Sequence, residues 1–100
     1  MTLEELTGFF RMIAPRASAL EAVLKFDFGD DGIIVVDATK NPAAVSNDDR
    51  DADTVVSVSL SDFSKILEKK MAGDLAFSMG KLKVSGDKII GVRLTQLLSR

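Results

Sequence analysis

Residues 52–86 read ADTVVSVSLSDFSKILEKKMAGDLAFSMGKLKVSG, and this stretch decides the fold of the chain. It opens with Val56 and Val58 alternating with serines, which is the pattern of a strand with one apolar and one solvated face. A helix should follow, capped by Ser59 or Ser61. The apolar stripe of that helix consists of Phe63, Ile66, Leu67 and Met71.

The second half of this stretch repeats the change from helix to strand. Gly73 should end the helix, and Asp74 can cap a short apolar turn over residues 75–79. Around Leu82 and Val84 the sequence alternates again, which predicts another strand with these two residues inward. The stretch as a whole therefore predicts a strand, a helix, a turn and a strand, built mainly from apolar residues.

A helix and a strand are predicted on the N-terminal side of this stretch. Thr2 and Glu5 fit a capping box, and Pro15 should end the first helix at Ala14. Residues 21–28 then alternate as in a strand. The inward face of that strand consists of Leu24, Phe26 and Phe28.

A turn and two further strands complete this side of the chain. The sequence GDDG at residues 29–32 is typical of a hairpin turn. Residues 33–37 are apolar on both faces, which indicates a strand that is covered on both sides. Residues 43–45 can add a short third strand, and residues 47–53 form an acidic loop.

The C-terminal segment fits either a strand or a helix, and the helix is preferred. Gly86 and Asp87 can turn a hairpin into a final strand, or Asp87 can cap a helix. The apolar residues recur at the spacing i, i+4, i+7 and i+8, which is helical. They are Ile90, Leu94, Leu97 and Leu98. The predicted fold is α+β, with one sheet packed against helices.

The composition excludes several classes of protein. With 100 residues, 46% of them hydrophobic and 28% charged, the chain fits a single globular domain over residues 1–100. A net charge of −2 without a basic stripe argues against a nucleic-acid partner. The chain has no cysteine and no membrane-length apolar run, and Glu4 and Glu5 stand where a signal peptide is positively charged. We therefore expect a cytoplasmic protein.

Neither catalysis nor metal binding is predicted. The chain has no histidine, the residue that most often acts as a general acid or base near neutral pH. Asp49, Asp51 and Asp53 have the spacing of the first three ligands of a calcium loop. Thr54 and Leu60 stand where that loop needs glycine and glutamate, so a solvated loop is the better interpretation. We expect no enzyme, no metal and no cofactor.

The apolar and basic residues of the C-terminal half each have two interpretations. The apolar residues can form an ordinary core, or they can line a cavity to which flexible methionines would be suited. A modest positive cluster consists of Lys65, Lys69, Lys70, Lys81 and Lys83. A solvated face is the simpler interpretation of these lysines, and weak attraction to an anionic membrane surface or to lipid head groups is the alternative.

The chain resembles the sterol carrier protein type two family of non-specific lipid-transfer domains over about residues 33–98. The segments that carry the resemblance are VVD (35–37), KN (40–41), ADT (52–54), SDF (61–63), KM (70–71), AF (76–77) and, most strongly, GKLKVSGD (80–87). The resemblance implies a single five-stranded sheet covered by helices on one face, with an apolar tunnel between the two layers. It also implies non-covalent binding of fatty acids, fatty acyl-CoA, phospholipids or sterols.

Nine candidate ligand-binding residues follow. The resemblance implies that the tunnel is faced by Phe77, Met79, Ile90, Leu94 and Leu97. The apolar stripes add Phe10, Ile66, Met71 and Leu75. The expected function is binding, and transfer, of a long-chain lipid. The alternative is a protein-interaction or homodimerisation module that uses the same apolar groove without a lipid.

Overall fold

A computed structural model describes residues 1–98, apart from the side chains of residues 95, 96 and 98. The strands are β1 (Val23–Asp27), β2 (Ile33–Asp37), β3 (Ala44–Ser46), β4 (Thr54–Val58) and β5 (Leu82–Gly86). The α-helices are α1 (Leu3–Ala17), α2 (Leu60–Leu67), α3 (Gly73–Ser78) and α4 (Lys88–Leu98). Short 3-10 helices lie at Ser18–Leu20 and Gly29–Asp31. Within the described residues, no helix has both the length and the apolar character needed to cross a bilayer.

The five strands form one mixed sheet in the order β3-β2-β1-β4-β5. Neighbouring strands are antiparallel except for β1 and β4, which are parallel. In this register Phe26 stands beside Ile34 on one side and Val56 on the other, so the apolar side chains share one face. That face packs against α1, α2 and α4. The α+β fold is confirmed, and α4 confirms the helical interpretation of the C-terminal segment.

Phenylalanines from three elements fill the centre of the layer between sheet and helices. The ring centroid of Phe10 on α1 lies 4.7 Å from that of Phe26 on β1, and the ring of Phe63 on α2 lies 5.4 Å from Phe26. These three side chains are buried. Burying a ring of this size contributes about 1.5–3 kcal/mol. The cluster therefore anchors both helices on the sheet.

Helix α1 continues beyond the end that Pro15 predicts. The predicted last residue was Ala14, whereas the helix runs to Ala17 with Pro15 in its last turn. Ala14 and Ala17 are both buried, and the Ala14 carbonyl accepts hydrogen bonds from the backbone N–H groups of Ser18 and Ala43. Tertiary packing of the last turn thus outweighs the local preference against proline.

Helix α2 ends at Leu67, so the prediction that it ends at Gly73 was wrong. The chain leaves α2 through a Schellman turn, in which the Lys70 N–H donates to the Lys65 carbonyl at 2.7 Å. Lys69 holds the left-handed position of this turn, with φ of 62°. Glycine usually occupies that position because a side chain is strained there. The turn thus ends α2, with five residues between this helix and the start of α3.

Helix α3 starts where the sequence placed the end of α2. Gly73 is its first residue, and Ala72 is its N-cap without a side-chain cap hydrogen bond. Asp74, which was predicted to cap this segment, instead accepts a hydrogen bond from the adjacent Leu75 N–H at 2.9 Å. The helix therefore depends little on capping, and most of its side chains lie at the surface.

The acidic loop, residues 47–53, crosses the sheet face opposite the helices. It runs from β3 at one edge to β4 beyond β1. Asp49 accepts a hydrogen bond from Lys25 Nζ at 2.7 Å, and Arg50 Nη1 lies 3.2 Å from Asp37 Oδ2. Lys25 and Asp37 point away from the core, so these ion pairs cover the second face of the sheet.

Asp37 makes stability depend on pH. The Thr39 hydroxyl, which donates to this buried carboxylate, lowers its pKa below the ordinary 3.8, against the opposing effect of burial. The ionised form therefore stabilises the fold above pH 3.8, and this contribution is lost as the pH falls through the lower folded value. Asp37→Asn should reduce the free energy of unfolding at neutral pH by about 1–3 kcal/mol. Urea titrations should show this difference shrinking in acid, and Asp51→Asn in the exposed loop is the control with no comparable loss.

Candidate functional site

A groove of about 860 Å³ opens between the helix-covered face of the sheet and helices α2 to α4. Its floor is made of side chains that point inward from β4, β5 and α2: Val56, Leu82, Val84 and Phe63. Because Phe63 also belongs to the phenylalanine cluster, the floor rests directly on the core. The groove is therefore built on a rigid part of the fold.

One wall of the groove comes from α2 and the turn that follows it. Ile66 and Leu67 are half-buried on α2, and Met71 is half-buried beyond the Schellman turn. That turn ends α2, and α3 begins beyond it at Gly73. At the rim α3 contributes Phe77, whose side chain is 55% exposed. The side chains that α2 contributes to this wall are thus apolar.

The opposite wall is the first half of α4. Gly91, Val92 and Leu94 line the groove from this helix. A Cβ atom on Gly91 would lie 3.2 Å from Val84 Cγ1, so the glycine permits a close approach of α4 to β5.

Hydrogen bonds to the side chain and to the backbone carbonyl of Asp87 fix the start of α4. The Asp87 carboxylate accepts from the Ile89 N–H at 3.0 Å, which caps the helix as predicted. The fully buried Thr54 hydroxyl donates to the Asp87 carbonyl at 2.7 Å. These bonds tie the second wall of the groove to β4.

The polar side chains among the described lining residues lie on the helices and the turn rather than on the strands of the floor. They are Lys69, Asp74, Ser78 and Lys88, and all four are exposed. Apolar side chains form the floor of the groove, and two lysines lie in its exposed part. This arrangement suits an elongated apolar molecule with a polar or anionic end. Such a cleft holds a ligand mainly by apolar burial, with a few polar groups to orient it.

The structure brings four of the nine candidate residues together in the groove: Ile66, Met71, Phe77 and Leu94. It places Phe10 and Ile90 in the core, while Leu97 is half-buried against that core. Leu75 and Met79 lie outside the groove, 53% and 57% exposed. The rim residues Phe77 and Val92 are more than half exposed, so the cavity is an open groove. A closed tunnel remains a prediction.

Several lining residues were not among the candidates, although most had a signal in the sequence. Val56, Leu82 and Val84 were already predicted to point inward from their strands. Gly91 lies inside a helical pattern, where a glycine often marks a close packing contact. Lys69 was noted only as part of a basic cluster and Lys88 not at all, because their place at the groove depends on the Schellman turn and on the packing of α4.

Comparisons with known proteins agree with this geometry. The sequence profile of the SCP-2 sterol transfer family matches residues 10–99. Among curated proteins, the chain is similar to hydroxysteroid dehydrogenase-like protein 2 from Bos taurus, with 37% identity over 49 residues. That similarity covers 49% of this chain and only 12% of the bovine protein.

Two solved structures show the same fold. The chain is similar to palmitated SCP2L2 from Aedes aegypti, with a TM-score of 0.72 and 22% identity, over 100% of this chain and 96% of that one. It is also similar to the apo form of sterol carrier protein 2 from Yarrowia lipolytica, with a TM-score of 0.69 and 23% identity. The second similarity covers 91% of this chain and 77% of the yeast protein.

Proposed function

The chain belongs to the SCP-2 sterol transfer family, and we propose that it binds the hydrocarbon chain of a long-chain lipid in the groove between α2, α4 and β5. Membership of this family supports lipid or sterol binding or transfer in general. The observation that carries the finer proposal is the groove itself, about 860 Å³ in volume and apolar at its floor. Ligand pockets usually measure about 300–1,000 Å³, so the space suits one lipid chain. The palmitated relative from Aedes aegypti supports a fatty acyl ligand.

Affinity in such a groove comes from apolar burial. Each methylene removed from water contributes about 0.8 kcal/mol, so binding should strengthen with chain length until the groove is filled. One methylene more or less changes this little, so discrimination between neighbouring chain lengths should be weak. Lys69 and Lys88 can pair with an anionic head group at the solvent-exposed end.

We also propose that the ligand is bound without chemical change. The chain has no histidine or cysteine, and the carboxylate among the described lining residues, Asp74, is exposed. An exposed carboxylate lacks the environment that tunes a general acid or base to neutral pH. A cytoplasmic site of action remains a prediction from the cysteine-free composition.

Native mass spectrometry of the purified protein, before and after organic extraction, tests the proposed function. We expect a monomer that carries one lipid, which extraction removes and added palmitate restores. A protein that stays at its unliganded mass with excess palmitate, and that binds no fluorescent fatty acid, would contradict the proposal. A lipid-free dimer would favour the alternative, in which the groove binds a second copy of the chain.

A further inference from the structure

Charge is distributed unevenly along the chain. Residues 1–59 carry five basic and eleven acidic side chains, a net charge of −6. Residues 60–100 carry eight basic and four acidic side chains, a net charge of +4. Helices α2 to α4 and strand β5, which surround the groove, all belong to the second part. The part of the chain that contributes most of the groove is therefore basic, in a chain that is acidic as a whole, and Lys69 and Lys88 of this part line the groove.

The exposed apolar side chains are concentrated at the same place. Of the seven large apolar side chains that are exposed among those the structure describes, five lie on α3, just after it or on α4. We call these five the mouth surface: Leu75, Phe77, Met79, Ile89 and Val92. Phe77 and Val92 also line the groove, so the mouth surface adjoins its opening. Clustered exposed apolar residues mark an interaction site more often than scattered ones do.

Lysines flank the mouth surface. Lys69 and Lys88 line the groove together with Phe77 and Val92. Lys81 lies three residues after the end of α3, and its N–H donates to the Ala76 carbonyl at 2.9 Å. Asp74 is the acidic residue among the described groove residues. The balance of charge beside the mouth surface is therefore positive.

We propose that the mouth surface docks the protein on an anionic lipid bilayer with its groove facing the membrane. Lysines are attracted to anionic lipids, and exposed apolar side chains on a short helix can enter the interfacial layer. The lysines beside the mouth surface would also orient the approaching molecule with this surface towards the bilayer. A second copy of the chain fits this surface less well, because the lysines beside the two mouth surfaces would repel each other. Docking deepens the proposed function, since a bound lipid could then pass between groove and bilayer without crossing water.

Co-sedimentation with vesicles tests this docking. The wild type should bind vesicles of phosphatidylcholine and phosphatidylserine, and bind less to phosphatidylcholine alone or at high salt. A double variant, Leu75→Asp with Met79→Asp, changes two exposed residues outside the groove and should weaken vesicle binding at least about tenfold. Met12→Asp is the matched control, because Met12 is 71% exposed on α1 and should tolerate the change.

Charge reversal tests the lysines separately. Lys81→Glu and Lys88→Glu should each weaken binding to the anionic vesicles by about fivefold or more, because one lysine near such a surface has an effect of that size. Lys40→Glu, at an exposed lysine in the turn after β2, is the control and should bind nearly as the wild type does.

A fluorescent fatty acid assay without vesicles separates docking from groove binding. The docking proposal is supported when the double variant loses vesicle binding and keeps fatty acid binding. It is overturned if the double variant binds vesicles as the wild type does, or if Met12→Asp alone removes binding. The proposal would also be overturned if the wild type does not bind vesicles but forms a dimer, and if the double variant is a monomer. Vesicle binding without fatty acid binding would leave docking intact and contradict the proposed function.

Discussion

Ile66→Asp is expected to abolish fatty acid binding while the protein stays folded. Ile66 lines the groove from α2, is half-buried and lies outside the buried core cluster, so its side chain contributes to the groove rather than to the fold. The change removes apolar contact with the ligand, and a bound chain would also have to desolvate the new carboxylate. Together these effects should reduce affinity by at least about a hundredfold, or about 2.7 kcal/mol.

Ile89→Asp is the matched control for this experiment. It makes the same chemical change on α4 at a residue that is 72% exposed and lies outside the groove. Titration of a fluorescent fatty acid in the absence of vesicles should therefore give nearly wild-type affinity. Circular dichroism establishes that both variants are folded. Wild-type affinity in a folded Ile66→Asp protein would place the ligand elsewhere on the molecule.

Phe26→Ala should produce the largest loss of stability among single core substitutions. Phe26 is fully buried, and its ring lies 4.7 Å from Phe10 and 5.4 Å from Phe63. Truncation would leave a cavity at the junction of β1, α1 and α2, which typically costs about 3–5 kcal/mol. The total free energy of unfolding of a small domain is about 5–15 kcal/mol, so the variant should be close to unfolding at room temperature.

Urea unfolding followed by far-ultraviolet circular dichroism measures this loss. Phe9→Ala is the control, since Phe9 is the neighbouring phenylalanine on α1 and is only half-buried. It should lose clearly less stability than Phe26→Ala. Equal losses in the two variants would show that the Phe10, Phe26 and Phe63 cluster is not the centre of the core. Palmitate should partly rescue Phe26→Ala, because a ligand that binds only the folded state stabilises it.

The sheet and two of the helices could be predicted from the sequence because local pattern and tertiary burial agree there. The alternation around Val56 and Val58 places both residues on the buried face of β4, as the structure confirms. The capping box of Thr2 and Glu5 is present at the start of α1. In α4, Ile90 and Leu94 follow the helical period and are buried. In each case a few neighbouring residues are enough to predict the element and its buried face.

The errors lie where distant contacts override local preference. Pro15 argues for a helix end, yet the burial of Ala17 extends α1 past it. Lys69 adopts the left-handed conformation that favours glycine, and the nearest glycine, Gly73, lies elsewhere and starts α3. No local pattern marks a lysine for that position. The break between α2 and α3 could therefore not be predicted from the sequence.

The candidate site was predictable in part for the same reason. Hydrophobic periodicity shows which residues avoid water, but it does not distinguish the core from a groove. Phe10 and Ile90 have the same pattern as Ile66, yet they pack into the core, and Leu94 belongs to the core while also lining the groove. The α2–α3 break leaves Leu75 and Met79 outside the groove. Only the packing of α4 on β5, with Gly91 against Val84, decides where the space remains.

The parallel pairing of β1 with β4 also determines how the chain can fold. Strands β1, β2 and β3 pair antiparallel with their neighbours in sequence, whereas β4 pairs antiparallel with β5. The sheet thus consists of two sub-sheets that meet at a single central ladder between residues far apart in the chain. Once β1 to β3 have paired, residues 47–53 must still bring β4 across the sheet face to β1, with an entropy loss that precedes any gain from contacts in this ladder. We expect this joining of the two sub-sheets, rather than the formation of either one, to limit the rate of folding.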